Sequence, residues 1–146
     1  MRILRIAPGE HYHIFNRAIS RQIIFHDHGD YLRFLFLVLY FQSPIKIDHI
    51  SRTVKEFAEN FGQVGQSSAL ANVDEQEIVK RRNVELVAFC IMSNHFHLIA
   101  KELEEEGIAD YMQRVLTAYS KYYNTKYEKS GHVFQGPYKA VHIEDD

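Results

Sequence analysis

The sequence predicts an α+β fold in which helices cover one face of an antiparallel sheet. Three observations predict it. Two apolar stretches, residues 84–92 and 95–101, flank the tight dipeptide Ser93-Asn94 and read as a hairpin. Residues 107–126 place Ile108, Tyr111, Met112, Val115, Leu116, Tyr119, Tyr122 and Tyr123 at three-and-four spacing, the stripe of a helix. The elements together run strand, helix, strand, strand, helix, strand. That order is ferredoxin-like, with the first and third strands central.

Each element has its own signal. Residues 10–17 alternate in part, through Tyr12, Ile14 and the flanking Phe15, and predict the first strand. Short polar residues and Gly29 within 27–30 announce a helix. Residues 31–42 continue it, apolar on most sides and so deeply buried, until Ser43-Pro44 stops it. A more amphipathic helix is expected over 48–61, where Val54, Phe57, Ala58 and Phe61 share one face. Residues 62–74 are small and polar without a period and read as a loop, and 75–82 as a short charged helix. Ser130-Gly131 breaks the chain after the long helix. Residues 138–144 then alternate as a last strand, with Tyr138, Ala140 and His142 on one side of the pleat. No repeat or boundary interrupts this order, so residues 1–146 read as one domain.

The composition is that of a globular protein, 46% hydrophobic and 25% charged. A net charge of -2 excludes a uniformly basic nucleic-acid binder, but the charge is unevenly spread. Between Tyr111 and His142 five basic residues (Arg114, Lys121, Lys126, Lys129 and Lys139) stand against the single acid Glu128. Arg114 and Lys121, seven apart, share a helix face with Gln113, Thr117 and Ser120. Such a face suits a phosphate backbone, or is simply solvated. The lone cysteine, Cys90, cannot form an internal disulfide and reads as a small buried hydrophobe. The N-terminal residues do not read as a signal peptide, and no apolar run reaches membrane-spanning length, so a cytoplasmic location is expected.

His95-Phe96-His97 carries the chemistry. Side chains alternate along a strand, so both imidazoles point to one face and Phe96 to the core. Two imidazoles so placed can share a divalent metal, or be two solvated histidines. Spacing alone does not name the ion. The tyrosines on the long helix have core packing as their first role. In the turn-rich segment 132–139, an aromatic ring suits base stacking and Gln135 suits a base edge, or the segment is a loop leading into a strand.

At these residues the chain resembles the HUH-type single-tyrosine transposases, most closely their REP-associated branch. The matching segments are Tyr12-His13-Ile14-Phe15-Asn16-Arg17, the run from Ala88 to Leu98 containing Met92-Ser93-Asn94-His95-Phe96-His97-Leu98, and the run from Ser130 to Ala140 containing Gly131-His132-Val133-Phe134-Gln135-Gly136. They occur in the family's order and span nearly the whole chain. The resemblance implies that His95 and His97 help hold a magnesium or manganese ion at the scissile phosphate of single-stranded or hairpin DNA. It implies attack by a tyrosine, giving a 5'-phosphotyrosine link and a free 3'-hydroxyl. DNA contacts are expected from Arg17, Arg114, Lys121, Gln135, Tyr138 and Lys139. Pro137 stands where relatives commonly carry a basic residue. The family's catalytic tyrosine and a third metal ligand lie on a helix after the last strand, and no tyrosine here matches that position. The expectation is therefore a shortened or degenerate copy that binds metal and DNA without efficient cleavage. Relatives include dimers, so a homodimer is compatible with the resemblance. The competing readings are a non-enzymatic module recognising hairpin or repeat DNA, and an unrelated ferredoxin-like metal protein such as a small hydrolase.

Overall fold

The first strand, β1 (His11–Arg17), is followed by a 3-10 turn (Ile19–Arg21), three helices, α1 (His28–Tyr40), α2 (Ile50–Asn60) and α3 (Glu75–Lys80), and a hairpin, β2 (Val84–Met92) and β3 (His95–Glu102). The long helix α4 (Gly107–Lys126) and β4 (Lys139–Ile143) complete the order. These come from a computed structural model that describes residues 5–61 and 70–144. The four strands form one antiparallel sheet in the order β2-β3-β1-β4, so β1 and β3 are central as the sequence predicts. No helix among the described residues is long and apolar enough to cross a membrane.

The helix layer lies on one face of the sheet. Phe34 of α1 and Tyr119 of α4 meet Phe25 and Phe96, with ring centroids 4.9–5.4 Å apart for the four contacting pairs. Phe34, Phe96 and Tyr119 have no solvent exposure. Aromatic rings in tilted and edge contacts stabilise beyond the area they bury, by about 0.5–1.5 kcal/mol per pair. This cluster decides which way β3 faces, because Phe96 must enter it.

Two ends of the helix layer are tied by polar groups. Asp27 caps α1, its carboxylate accepting from the Asp30 N–H at 2.9 Å. Asp30 is fully buried and accepts from Tyr122 and Tyr127 hydroxyls at 2.7 and 2.6 Å, from Lys126 Nζ at 2.8 Å and from the His26 N–H at 2.9 Å. At the other end of α1, Arg114 donates to the Phe41 and Ser43 carbonyls at 3.1 and 3.0 Å and lies over the Phe41 ring. It satisfies carbonyls just past the helix C-terminus.

Helix α4 starts against the Asn83 carbonyl, which also accepts from Leu103 and Glu104 N–H groups. A Cβ at Gly107 would stand 2.2 Å from that oxygen and 3.1 Å from Glu102 Oε1. Glu102, buried, accepts from the Ile108 N–H at 2.6 Å and so caps α4 from outside the helix. Gly107→Ala is expected to cost about 2–3 kcal/mol, in the range of other overpacking changes, read as a lower urea midpoint at unchanged slope.

One expectation needs correction. Cys90 is exposed, not buried. The register of β2 against β3 shifts between Leu86 and Ala88, so Val87 is an extra residue on an edge strand. Ahead of it Val84 and Leu86 point to the helices; beyond it Phe89 and Ile91 do, and Cys90 turns to the open face. The loop expected over 62–74 lies partly outside the described residues. Its described end is held down: Leu70 is buried and the Ala71 N–H donates to Glu56.

Candidate functional site

Alternation along the two central strands builds the site. On β3, Phe96, Leu98 and Ala100 are buried under the helices, which leaves His95, His97 and Ile99 on the open face. On β1, Tyr12, Ile14 and Asn16 are buried, and His13, Phe15 and Arg17 share the open face. The register sets Phe15 between His97 and Lys139, Arg17 opposite His95, and Cys90 opposite His97 on the far side. The rings of His95 and His97 lie 5.2 Å apart. The expected pairing of two imidazoles on one face is therefore present.

Each imidazole is held through Nδ1. His95 Nδ1 lies 2.8 Å from Asn94 Oδ1. His97 Nδ1 lies 2.9 Å from His13 Nε2, and these two rings stack at 5.1 Å. Both ligand candidates thus keep Nε2 as the other ring nitrogen. Partial burial, then the neighbouring His13 and His95, push the His97 pKa below the usual imidazole value. These effects favour the neutral ring of His97, the form a cation needs.

The histidines open on a pocket of about 600 Å³ whose other walls include Phe15, Arg17, Arg21, Gln135, Pro137 and Lys139. Among the described residues no acidic side chain lines it. Three segments meet to make it. The Gln135 N–H donates to the Arg17 carbonyl at 2.9 Å, Ala18 bridges Phe134, and Asn16 Nδ2 donates to the Gly136 carbonyl at 3.2 Å. Gly136, at φ 68°, allows the loop to turn there. Arg21 reaches the pocket from the 3-10 turn, where Ser20 and Arg21 both hold positive φ, 55° and 54°. The turn Ser93-Asn94 is pinned from the same side: the Ile24 and Phe25 N–H groups donate to the Ser93 carbonyl, and the Ala18 N–H to that of Asn94.

The expected site residues separate into two groups. His95, His97, Arg17, Gln135 and Lys139 come together in this pocket. Tyr138 does not line it; it is half-buried and packs against the core. Arg114 and Lys121 sit on α4, in the layer across the sheet, and Arg114 is engaged with the Phe41 and Ser43 carbonyls just past α1. Sequence reasoning missed His13, Arg21 and Asn94 as members of the site. His13 and Asn94 stood inside quoted matching segments, which was the signal available for them.

Tyr111, Tyr119, Tyr122 and Tyr123 stay in the core role expected of them. Tyr111 donates to the Val38 carbonyl, Tyr119 to that of Ile24, Tyr123 to that of Ile23, and Tyr122 and Tyr127 to Asp30. Among the described residues no tyrosine lines the pocket. Among the described residues no group of three His, Cys, Asp or Glu side chains is arranged to hold a metal ion. Two imidazoles on one face, each steadied through Nδ1, nevertheless suit a divalent ion that takes its remaining ligands from elsewhere.

Comparison with known proteins points one way. The family model described as "Transposase IS200 like" matches residues 67–146. A REP-associated tyrosine transposase, solved bound to a REP hairpin, superposes with a TM-score of 0.52 at 11% identity. The match covers 100% of this chain and 62% of that one, so the chain spans under two thirds of that protein's length. A protein of Deinococcus radiodurans R1, provisionally described as a transposase, matches with a TM-score of 0.48 at 14% identity, over 99% of this chain and 88% of that one. No curated protein matches. At these identities the superposition on the REP-associated protein supports the fold alone.

Proposed function

Because the chain belongs to the IS200-like transposase family, we propose that its open sheet face binds single-stranded or hairpin DNA and a divalent ion, for cutting and rejoining one strand through a tyrosine. The observation that carries this is the His95 and His97 pair opening on a pocket flanked by Arg17, Arg21 and Lys139, with no acid lining it among the described residues. A polyanion can enter such a pocket without meeting like charge. The solved relative bound to a REP hairpin makes hairpin DNA the first substrate to try.

His95 and His97 would hold the ion, magnesium or manganese by family. When bound, it would supply charge that polarises the scissile phosphate. The chain's own groups do the rest. Arg17, Arg21 and Lys139 grip non-bridging phosphate oxygens and fix the strand's path. Phe15 offers a ring for a base to stack on, and Gln135 a carboxamide for a base edge. In the reaction itself a tyrosine oxygen bonds to phosphorus, the bond to the 3'-oxygen breaks, and that oxygen leaves as a hydroxyl carrying a proton. The phosphotyrosine link conserves the bond energy for rejoining.

The tyrosines hydrogen-bonded into the core are poor nucleophiles. Burial raises the Tyr111 and Tyr119 phenols further above their ordinary value. Residues 1–146 by themselves are therefore proposed to bind DNA and cut it weakly or not at all. A single-strand nicking assay in manganese tests this, and efficient nicking by these residues would contradict it. The same observation favours, as the second reading, a non-enzymatic module that recognises hairpin DNA.

Binding has its own expected signature. Arg17→Ala and Lys139→Ala should each weaken hairpin binding and reduce the slope of log affinity against log salt by about one, the mark of one lost phosphate contact. Lys121→Ala, on the far layer, should leave the slope unchanged. Fluorescence anisotropy across a salt series measures both. An unchanged slope in the first two variants would take the DNA off this face.

A further inference from the structure

We infer that Asn94 is a positioning residue that holds His95 as its Nδ1–H tautomer, leaving Nε2 as the lone-pair nitrogen for a cation. The inference deepens the proposed site and rests on that reading for its choice of His95 as a ligand.

The hydrogen bonds around Asn94 leave one consistent assignment. Asn94 Nδ2 lies 3.3 Å from the Arg21 carbonyl. A carbonyl only accepts, so the amide nitrogen must be the end that faces it. The amide oxygen then faces His95 Nδ1 at 2.8 Å. That oxygen also only accepts, so the proton between them belongs to His95 Nδ1. With Nδ1 carrying the proton, the neutral ring has its lone pair on Nε2.

Asn94 has little freedom to do otherwise. Its own carbonyl accepts from the Ala18 N–H at 2.9 Å, and the preceding Ser93 carbonyl is held by the Ile24 and Phe25 N–H groups at 3.0 and 3.1 Å. The carboxamide is therefore anchored on both sides, by backbone and by Arg21.

His97 differs. Its Nδ1 meets His13 Nε2, and two imidazoles can exchange donor and acceptor roles. In one arrangement His97 Nε2 carries a lone pair; in the other it carries a proton and cannot ligate. His95 is thus the histidine whose ligating form is set before any cation arrives, and His97 the one that adjusts to it.

The test reads the tautomer directly. Long-range proton–nitrogen NMR on histidine-labelled protein, at about pH 8 where imidazoles are neutral, should show His95 with a protonated Nδ1 and a pyridine-like Nε2. Asn94→Ala should shift His95 toward the Nε2–H form that a solvated imidazole favours. Asn94→Asp, which keeps the acceptor oxygen but loses the bond to Arg21, should return His95 toward the wild-type pattern. Manganese affinity, followed by the EPR signal of the free ion, should fall about 10–100-fold in Asn94→Ala and recover in Asn94→Asp.

An Nε2–H form of His95 in the wild-type protein would overturn the inference, and that measurement needs no variant to fold. So would an Asn94→Ala spectrum unchanged from wild type. If the wild-type protein shows the expected tautomer but binds no manganese, the metal reading fails and the role of Asn94 in fixing the ring stands.

Discussion

Replacing both His95 and His97 with alanine is expected to weaken manganese binding by more than about 100-fold, taking the loss of each ligand as at least that of a supporting partner. The thermal midpoint should hardly move. Both rings stand on the open face, and the residues that anchor β3, Phe96 and Leu98, point the other way into the core. Substitutions outside the core typically change stability by no more than about 0.5 kcal/mol. Calorimetric titration with manganese and a thermal melt, run on the same preparation, separate the two effects. In any longer chain that nicks DNA, the double variant should abolish cleavage with its folding intact. Manganese affinity retained by the double variant would remove the pair from the metal site.

The second large effect is on stability, at Asp30. Its carboxylate is the common acceptor for Lys126, Tyr122, Tyr127 and the His26 N–H, and it joins the start of α1 to the end of α4. Asp30→Ala removes the shared acceptor of all four donors. Lys126 keeps Asp27 at 2.8 Å and is about a third exposed, so its charge is not left bare. The expected cost is about 3 kcal/mol, at the low end for breaking a buried ion pair, or roughly a 10 °C fall in midpoint for a chain of this size. A midpoint within a degree or two of wild type would mean that water replaces the carboxylate without penalty.

Acid should reproduce part of this loss. Burial alone would raise the Asp30 pKa, but the bonds from Lys126, Tyr127, Tyr122 and the His26 N–H outweigh it and bring it from 3.8 to about 2. A group whose folded pKa is depressed contributes its stability above the unfolded pKa and loses it as pH falls through the folded one. Asp30 should therefore contribute about 2 kcal/mol above pH 4, declining between about pH 4 and 2. Comparing acid unfolding of wild type and Asp30→Asn isolates the contribution.

Much of this architecture is legible in the sequence, for identifiable reasons. The hairpin and α4 are local: their apolar periods and the dipeptide between the strands set their bounds with no help from distant residues. The placement of His95 and His97 follows from alternation once Phe96 is assigned to the core. What escaped is what register creates. His13 lies beside His97 only because β1 and β3 pair with Phe15 opposite His97. Arg21 enters the pocket through a backbone turn of positive φ that its residue type does not announce. Arg114 shows the opposite case. Its helix face looked suited to phosphate, but the carbonyls past the C-terminus of α1 claim it. The charge pattern of a helix does not reveal which neighbours will meet it.

The additional residue at Val87 has a consequence for the whole of β2. Strand side chains repeat every two positions, so taking one residue out there would carry all that follow through to the opposite surface. Phe89 and Ile91 would then move to the open face next to the imidazoles, and Cys90 and Met92 to the helix side. The insertion works as a phase shifter. It turns Phe89 and Ile91 to the helix side, as Val84 and Leu86 are before it, and it gives the open face a sulfur-bearing margin, Cys90 with Met92, facing the cationic margin of Arg17 and Lys139 across the histidines. A polymer lying across that surface meets soft, polarisable groups on one flank and fixed positive charge on the other, which makes the surface sided.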